Sequence, residues 1–281
     1  MIAIIGPTAG GKTDLALEVA RKYDGEIICA DSRTVYRGMD LGTAKPTPEE
    51  QRLVPHHLLD VVNPDQPFSV ADFQRLAAEA MRDIQARGRL PLVVGGSGLY
   101  VDSLLYSFSL RPLASSSKQE AMARLSDDQL RALLDEQGIS LNPSDRLNRR
   151  RLERAVGAGS SRPEPRVLPG SYHIIGLNPG LEVLERRIAK RTKQWFEKNI
   201  LEETAALVTT FGAIEALNTP PYREIGDYLA GRRDLAGTQT LINLHLRQLA
   251  KRQLSWFRRN PDITWAASPD EAAVHIEGLI N

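Results

Sequence analysis

Gly6 to Thr13 reads G-P-T-A-G-G-K-T, which meets the pattern G-x-x-x-x-G-K-[ST] at each fixed position. Residues of these types at this spacing bind a polyphosphate. Glycines let the backbone wrap closely, so that its N–H groups converge on an anion at a helix N-terminus, where the dipole favours negative charge. Lys12 can reach a terminal phosphate, and Thr13 can hold Mg²⁺. Asp31 is the second residue of chemical interest. It follows the apolar run from Glu26 to Ala30, and at the carboxyl end of a strand it faces whatever the loop holds. Capping of the next turn is an equal reading of that aspartate. The adjacent His56 and His57 invite a metal reading. Side chains at i and i+1 share no face of a helix or strand, so both are read as structural or loop histidines.

These residues need elements to position them. Ile2 to Ile5 is an apolar run that suits a buried strand, and Ala16, Val19, Ala20 and Tyr23 recur at helical spacing beyond the loop. Glu26 to Ala30 reads as a second strand. Arg37 to Pro48 is a polar loop bearing glycine and proline, long enough to cover a site. Ser69 to Arg87 reads as a helix, with Ser69 as N-cap, Asp72 three residues on, an apolar stripe of Phe73, Leu76, Ala80 and Ile84, and Gly88 as terminator. Leu90 to Val94 is a further strand, and Gly95-Gly96-Ser97-Gly98 follows it. An ATPase carries an acid near such a strand end to help hold Mg²⁺, and none stands here. The glycines imply close backbone approach to a ligand or to the first loop.

The 281 residues, 42% hydrophobic and 25% charged, describe an ordinary globular chain with ample core. A net charge of +1 rules out any argument from overall charge, so a nucleic-acid face has to come from local clustering. The lone cysteine, Cys29, excludes an internal disulfide and a multi-cysteine zinc module. Together with the absence of a leader or a long apolar span, it leads to the expectation of a cytoplasmic protein off the membrane. From about Leu113 the composition changes. Ser115 to Ser117 makes a polar break, Lys118 to Gln137 reads as one helix, and Arg146 to Arg154 is arginine-rich with Glu153 as its lone acid. Gly157 to Gly170 reads as a mobile loop and Tyr172 to Leu177 as a strand. The expected organisation is an α/β core at 1–114 and 169–281, holding a mostly helical insertion at 115–168. Leu181 to Leu207 reads as a basic helix that includes Arg186, Arg187, Lys190, Arg191 and Lys193. Pro220-Pro221 interrupts the helices. Leu235 to Pro261 carries Arg247, Lys251, Arg252, Arg258 and Arg259 without an acid. One such segment is ordinarily a solvated helix face; three together put nucleic-acid phosphates on an equal footing.

A family resemblance rests on these residues. The loop, then Asp31-Ser32-Arg33, then Val35 to Pro46 (V-Y-R-G-M-D-L-G-T-A-K-P) resemble the tRNA dimethylallyltransferases. So do Pro55 to Asp60 (P-H-H-L-L-D), Gly95 to Tyr100 (G-G-S-G-L-Y) and Ala250 to Arg258 (A-K-R-Q-L-S-W-F-R). The motifs run in order from residue 6 to residue 258. The resemblance implies a parallel P-loop NTPase-like sheet with a helical insertion and C-terminal helices. It implies transfer of a dimethylallyl group from dimethylallyl diphosphate to N6 of the adenosine 3′-adjacent to the anticodon of tRNA, with Mg²⁺ and without ATP hydrolysis.

Carried onto this chain, the resemblance assigns Gly6, Pro7, Thr8, Ala9, Gly10, Gly11, Lys12 and Thr13 to the diphosphate, with Arg223 as a second clamp. Lys12, Thr13 and Asp31 become the catalytic set, with Asp31 as general base. Asp31, Ser32, Arg33, Thr34, Ser97, Arg150, Arg151, Arg154, Lys251, Arg252, Gln253 and Arg258 become tRNA contacts on the anticodon arm of a monomeric enzyme. The sequence departs from the pattern at Thr34, where the family has glutamine, and at Pro221, where it has glycine. Three other readings stand beside this one. They are an adenylate isopentenyltransferase acting on a free nucleotide, a P-loop small-molecule kinase, and a non-catalytic tRNA-binding relative.

Overall fold

The computed structural model describes residues 1–106, 116–141, 143–158 and 172–280. It separates into two compact units, one made of 1–105 and 168–281 and the other of 106–167. The polar break at Ser115 and most of the loop expected at Gly157 to Gly170 lie outside the described residues.

In the larger unit, β1 (Ile2–Ile5) leads through the glycine loop into α1 (Lys12–Lys22). Next come β2 (Gly25–Cys29), α2 (Pro48–Leu53), β3 (His56–His57), α3 (Val70–Ala86), β4 (Leu90–Gly95) and α4 (Gly98–Leu105). The smaller unit holds α5 (Ser116–Ala123), α6 (Asp127–Glu136), α7 (Pro143–Arg146) and α8 (Arg149–Ala158). The chain re-enters the larger unit at β5 (His173–Leu177) and α9 (Leu181–Glu197). It closes with α10 (Ile200–Phe211), α11 (Tyr222–Leu229), α12 (Leu235–Phe257), β6 (Ile263–Ala266) and α13 (Pro269–Ile280).

The strands form one six-stranded sheet in the order β3-β2-β4-β1-β5-β6, and every pairing is parallel. All four residues of β1 and all five of β2 are buried. Strands covered on both faces read as continuous apolar runs rather than alternating ones, which is why these were legible. From β1 the chain builds outward to β2 and β3 on one side and to β5 and β6 on the other. The carboxyl ends beside such a reversal are where open α/β sheets bind ligands. One core cluster packs α1 and α13 on the sheet through Leu15, Val19, Ala272 and Ile276. A second joins α9, α10, α11 and α12 through Ile188, Trp195, Leu207, Ile225, Ile242 and Leu246.

Two expected helices are each divided. Lys118 to Gln137 breaks at Ser126, whose side chain accepts from the Gln129 N–H while the Gln129 side chain reaches back to Ser126 N–H. A complete capping box starts a new helix there. Leu181 to Leu207 breaks at Asn199, which takes the left-handed conformation at φ 64°, a shape asparagine adopts more readily than other side-chain-bearing residues. The expected helix over Ser69 to Arg87 forms as α3 with its Ser69–Asp72 capping box. In the smaller unit three arginines of the arginine-rich stretch are paired from within. Arg146 pairs with Asp135, Arg149 with Asp127 and Glu153, and Arg151 with Asp145.

Glu26 on β2 is almost wholly buried, with 1% of its side chain exposed, and receives His57, Arg87 and Arg89. Burial alone would raise its pKa, but hydrogen bonds from Arg87, His57 and Arg89 hold it down at about 2. A carboxylate depressed in the folded state contributes stability that is fully present above its ordinary value near 4.5 and lost as pH falls toward 2. Glu26→Ala is expected to cost about 2 kcal/mol. Urea unfolding should show this cost shrinking as pH drops below 4.5, the ordinary value of this carboxyl.

Candidate active site

Three strand ends converge on one cavity of about 800 Å³, a size suited to a small-molecule ligand. The Thr8 to Thr13 segment follows β1, Asp31 to Thr34 follows β2, and Gly95 and Ser97 mark the end of β4; all line it. Gly11, at φ 95°, is the N-cap of α1 and supplies no side-chain bond to the helix end. The first N–H groups of α1 thus keep their donors for an anion. Lys12 Nζ folds back onto the loop and donates to the carbonyls of Pro7 at 2.7 Å and Gly6 at 3.0 Å. Burial lowers its pKa to about 8, with Asp31 raising it and Arg191 lowering it.

Asp31 does both things its position suggested. One carboxylate oxygen, Oδ1, accepts from the Arg33 N–H at 2.8 Å and pins the turn, while the residue lines the cavity that the phosphate loop also lines. Ser97 buttresses that turn: its Oγ accepts from the Ser32 N–H at 2.9 Å. Thr34 is buried, and its hydroxyl has no hydrogen-bond partner among the described residues. The histidines take separate roles. His57 Nε2 lies 2.6 Å from Glu26, and His56 Nδ1 lies 2.8 Å from the Val54 carbonyl, so no metal pair forms. Among the described residues, no group of three or more His, Cys, Asp or Glu side chains could hold a metal ion.

The loop from Arg37 to Pro48 is a fixed wall rather than a loose cover. Lys45 Nζ bridges Asp40 and Asp60, each at 2.6 Å, and reaches the Tyr36 carbonyl at 2.9 Å. Glu203 on α10 accepts from the N–H groups of Leu41 and Gly42 and from the Tyr222 hydroxyl.

Arg223 does not line the cavity; its guanidinium lies on Glu224 and against His245. Besides Lys12, a cation from α9 reaches the loop: Arg191 Nη1 donates to Thr8 Oγ1 at 3.2 Å. Burial lowers its pKa. Arg187, one turn earlier, donates to the Ala9 carbonyl at 3.3 Å. Sequence reading placed both on a basic helix face. Arg191 is half-buried and Arg187 exposed, and nothing local in the sequence separates these two from the other basic residues of the helix. Among the expected tRNA contacts, Arg252 and Gln253 line the cavity. Lys251, Arg258, Arg151 and Arg154 are exposed. The Arg150 side chain lies outside the described residues.

Fold and site together define a class: an α/β protein of P-loop type, with a glycine loop at a helix N-terminus opening onto the cavity and no acid closing the β4 end. The IPP transferase family model matches residues 34–260, and the chain belongs to that family. It is 39% identical to the tRNA dimethylallyltransferase 2 of Geotalea uraniireducens, covering 97% of this chain and 94% of that protein. It is 37% identical to the tRNA dimethylallyltransferase of Geobacillus thermodenitrificans, covering 99% and 94%. A solved tRNA isopentenylpyrophosphate transferase from Bacillus halodurans superposes with a TM-score of 0.76 at 35% identity, covering 99% of this chain and 94% of that one. Among the described residues, no helix is long and apolar enough to cross a membrane.

Proposed function

We propose that this chain transfers the dimethylallyl group of dimethylallyl diphosphate to N6 of the adenosine 3′-adjacent to the anticodon in tRNA, releasing diphosphate. The observation that carries the reading is one cavity lined both by a phosphate cradle backed by Lys12 and Arg191 and by Asp31. That pairing supplies a leaving-group site and a proton acceptor.

The N6 lone pair forms a bond to the allylic carbon as the carbon–oxygen bond to diphosphate breaks, and the electron pair leaves with the diphosphate. Loop N–H groups, Lys12 and Arg191 stabilise the charge that develops there. The amine is a weak nucleophile because its lone pair is shared with the ring, and Asp31 accepts its proton as the new bond forms. Thr13 lines the cavity and offers the oxygen donor that Mg²⁺ takes. Among the described residues no group of three or more His, Cys, Asp or Glu side chains would join it; when bound, such an ion would neutralise charge on the diphosphate. The enzyme works as a monomer in the cytoplasm, with Lys251, Arg252 and Arg258 among the groups that meet the anticodon arm.

Arg191→Ala is expected to weaken diphosphate binding and slow transfer by about 10²-fold, whereas Arg223→Ala changes diphosphate affinity less than about twofold. Pyrophosphate titration calorimetry on both variants checks the contrast. Incubation with γ-labelled ATP tests the class: transfer of the labelled phosphate to a small acceptor, or rapid hydrolysis without tRNA, would contradict prenyl transfer.

A further inference from the structure

Gln253, on α12, reaches two loops at once. Its Oε1 accepts from the Thr8 N–H at 2.8 Å, and its Nε2 donates to the Gly96 carbonyl at 3.0 Å. The partners fix the orientation of the amide, because a backbone N–H only donates and a carbonyl only accepts. Gly96 is shaped for this contact: a Cβ there would stand 2.4 Å from Nε2. From Gly96 the bonding continues to the other side of the site. The Ser97 N–H donates to the Ala30 carbonyl at 3.3 Å, and Ser97 Oγ accepts from the Ser32 N–H at 2.9 Å. Ala30 and Ser32 flank Asp31.

We propose that Gln253 is a positioning residue that sets the separation between the phosphate loop and the turn carrying Asp31. The proposal rests on the reading of loop and aspartate as the two halves of the transfer site. Each end of this amide makes a bond to a backbone group, one on each loop, so its orientation is set by the protein itself. The strut has a firm base, since neighbouring Ala250 and Leu254 are buried. One turn on, Trp256 Nε1 donates to Asp102 Oδ2 at 2.7 Å, and its ring lies where a Cβ on Gly98 would meet it at 2.3 Å. Glutamine is also the residue that can do this: it offers one acceptor and one donor at that reach. An ionised glutamate would set an anion against the Gly96 carbonyl, and a protonated one would regain the donor.

The test is single-turnover transfer at saturating tRNA and dimethylallyl diphosphate for Gln253→Leu, Gln253→Glu and Asp31→Asn, with thermal melts and tRNA Kd at several salt concentrations. Gln253→Leu is expected to lose about 10- to 100-fold in rate while tRNA Kd and its salt slope stay within twofold. The deficit of Gln253→Glu, taken as a ratio to wild type, is expected to shrink as pH is lowered through the carboxyl pKa; this readout stands even if the leucine variant does not fold. A pH-independent deficit, a wild-type rate in both variants, or a tenfold loss of tRNA affinity with the saturated rate preserved would overturn the strut. A wild-type rate for Asp31→Asn would instead overturn the reading of the site, whatever the Gln253 variants do.

Discussion

Asp31→Asn is expected to reduce transfer by about 10²- to 10⁴-fold while tRNA affinity stays within a few-fold of wild type. Asparagine keeps an Oδ1 that can accept from the Arg33 N–H, so the turn that Asp31 pins survives the change. What it loses is a basic oxygen able to take the N6 proton. Asp31→Ala removes the base and the turn bond together, so it should show the same loss of rate with a lower melting temperature. A fall in tRNA binding as large as the fall in rate would make Asp31 structural. Single-turnover kinetics beside a filter-binding titration separate the two.

The second large effect is at Lys12. Lys12→Met is expected to slow transfer by about 10²- to 10³-fold, because on the proposed mechanism it removes a loop cation that balances charge on the departing diphosphate. The wild-type protein carries a pH signature of the same residue. Burial brings the ammonium down to about 8. The charged form is the one that receives an anion. Diphosphate affinity is therefore expected to be full below that value and to weaken as pH rises through it. In Lys12→Met that component should be absent. Calorimetric titration with pyrophosphate between about pH 6.5 and 9.5 reads it.

The two ends of the site differ in how legible they were. The glycine loop, the strand before it and the helix after it are local, and each is specified by its own residues. Asp31 was legible because it follows directly on a strand. Arg191 was not, since it reaches Thr8 across 183 positions of sequence, and a basic residue on a helix reads the same whether it faces water or a loop. Arg223 stood beside a conspicuous proline pair, yet its partner is its own neighbour, Glu224. Gln253 looked like part of a basic RNA-binding run. Its role depends on two backbone groups, in Thr8 and Gly96, that helix periodicity cannot bring together. The breaks at Ser126 and Asn199 were readable in principle, from a capping box and from a residue tolerant of left-handed backbone. Strand order was not readable from the runs alone. Three arginines of 146–154 are an electrostatic lesson: Arg146, Arg149 and Arg151, cationic in sequence, are held in ion pairs with Asp127, Asp135, Asp145 and Glu153.

Lys12, Arg191 and Asp31 line one cavity, and the proposed prenyl transfer to a nucleobase amine assigns the first two to the diphosphate and the third to the amine proton. Mass spectrometry of tRNA nucleosides after incubation with dimethylallyl diphosphate and Mg²⁺ tests that claim most directly. The expected result is an added dimethylallyl group on the adenosine following the anticodon, formed with equimolar diphosphate and lost with Lys12→Met. Unmodified adenosine under conditions where wild-type protein binds both substrates would contradict it.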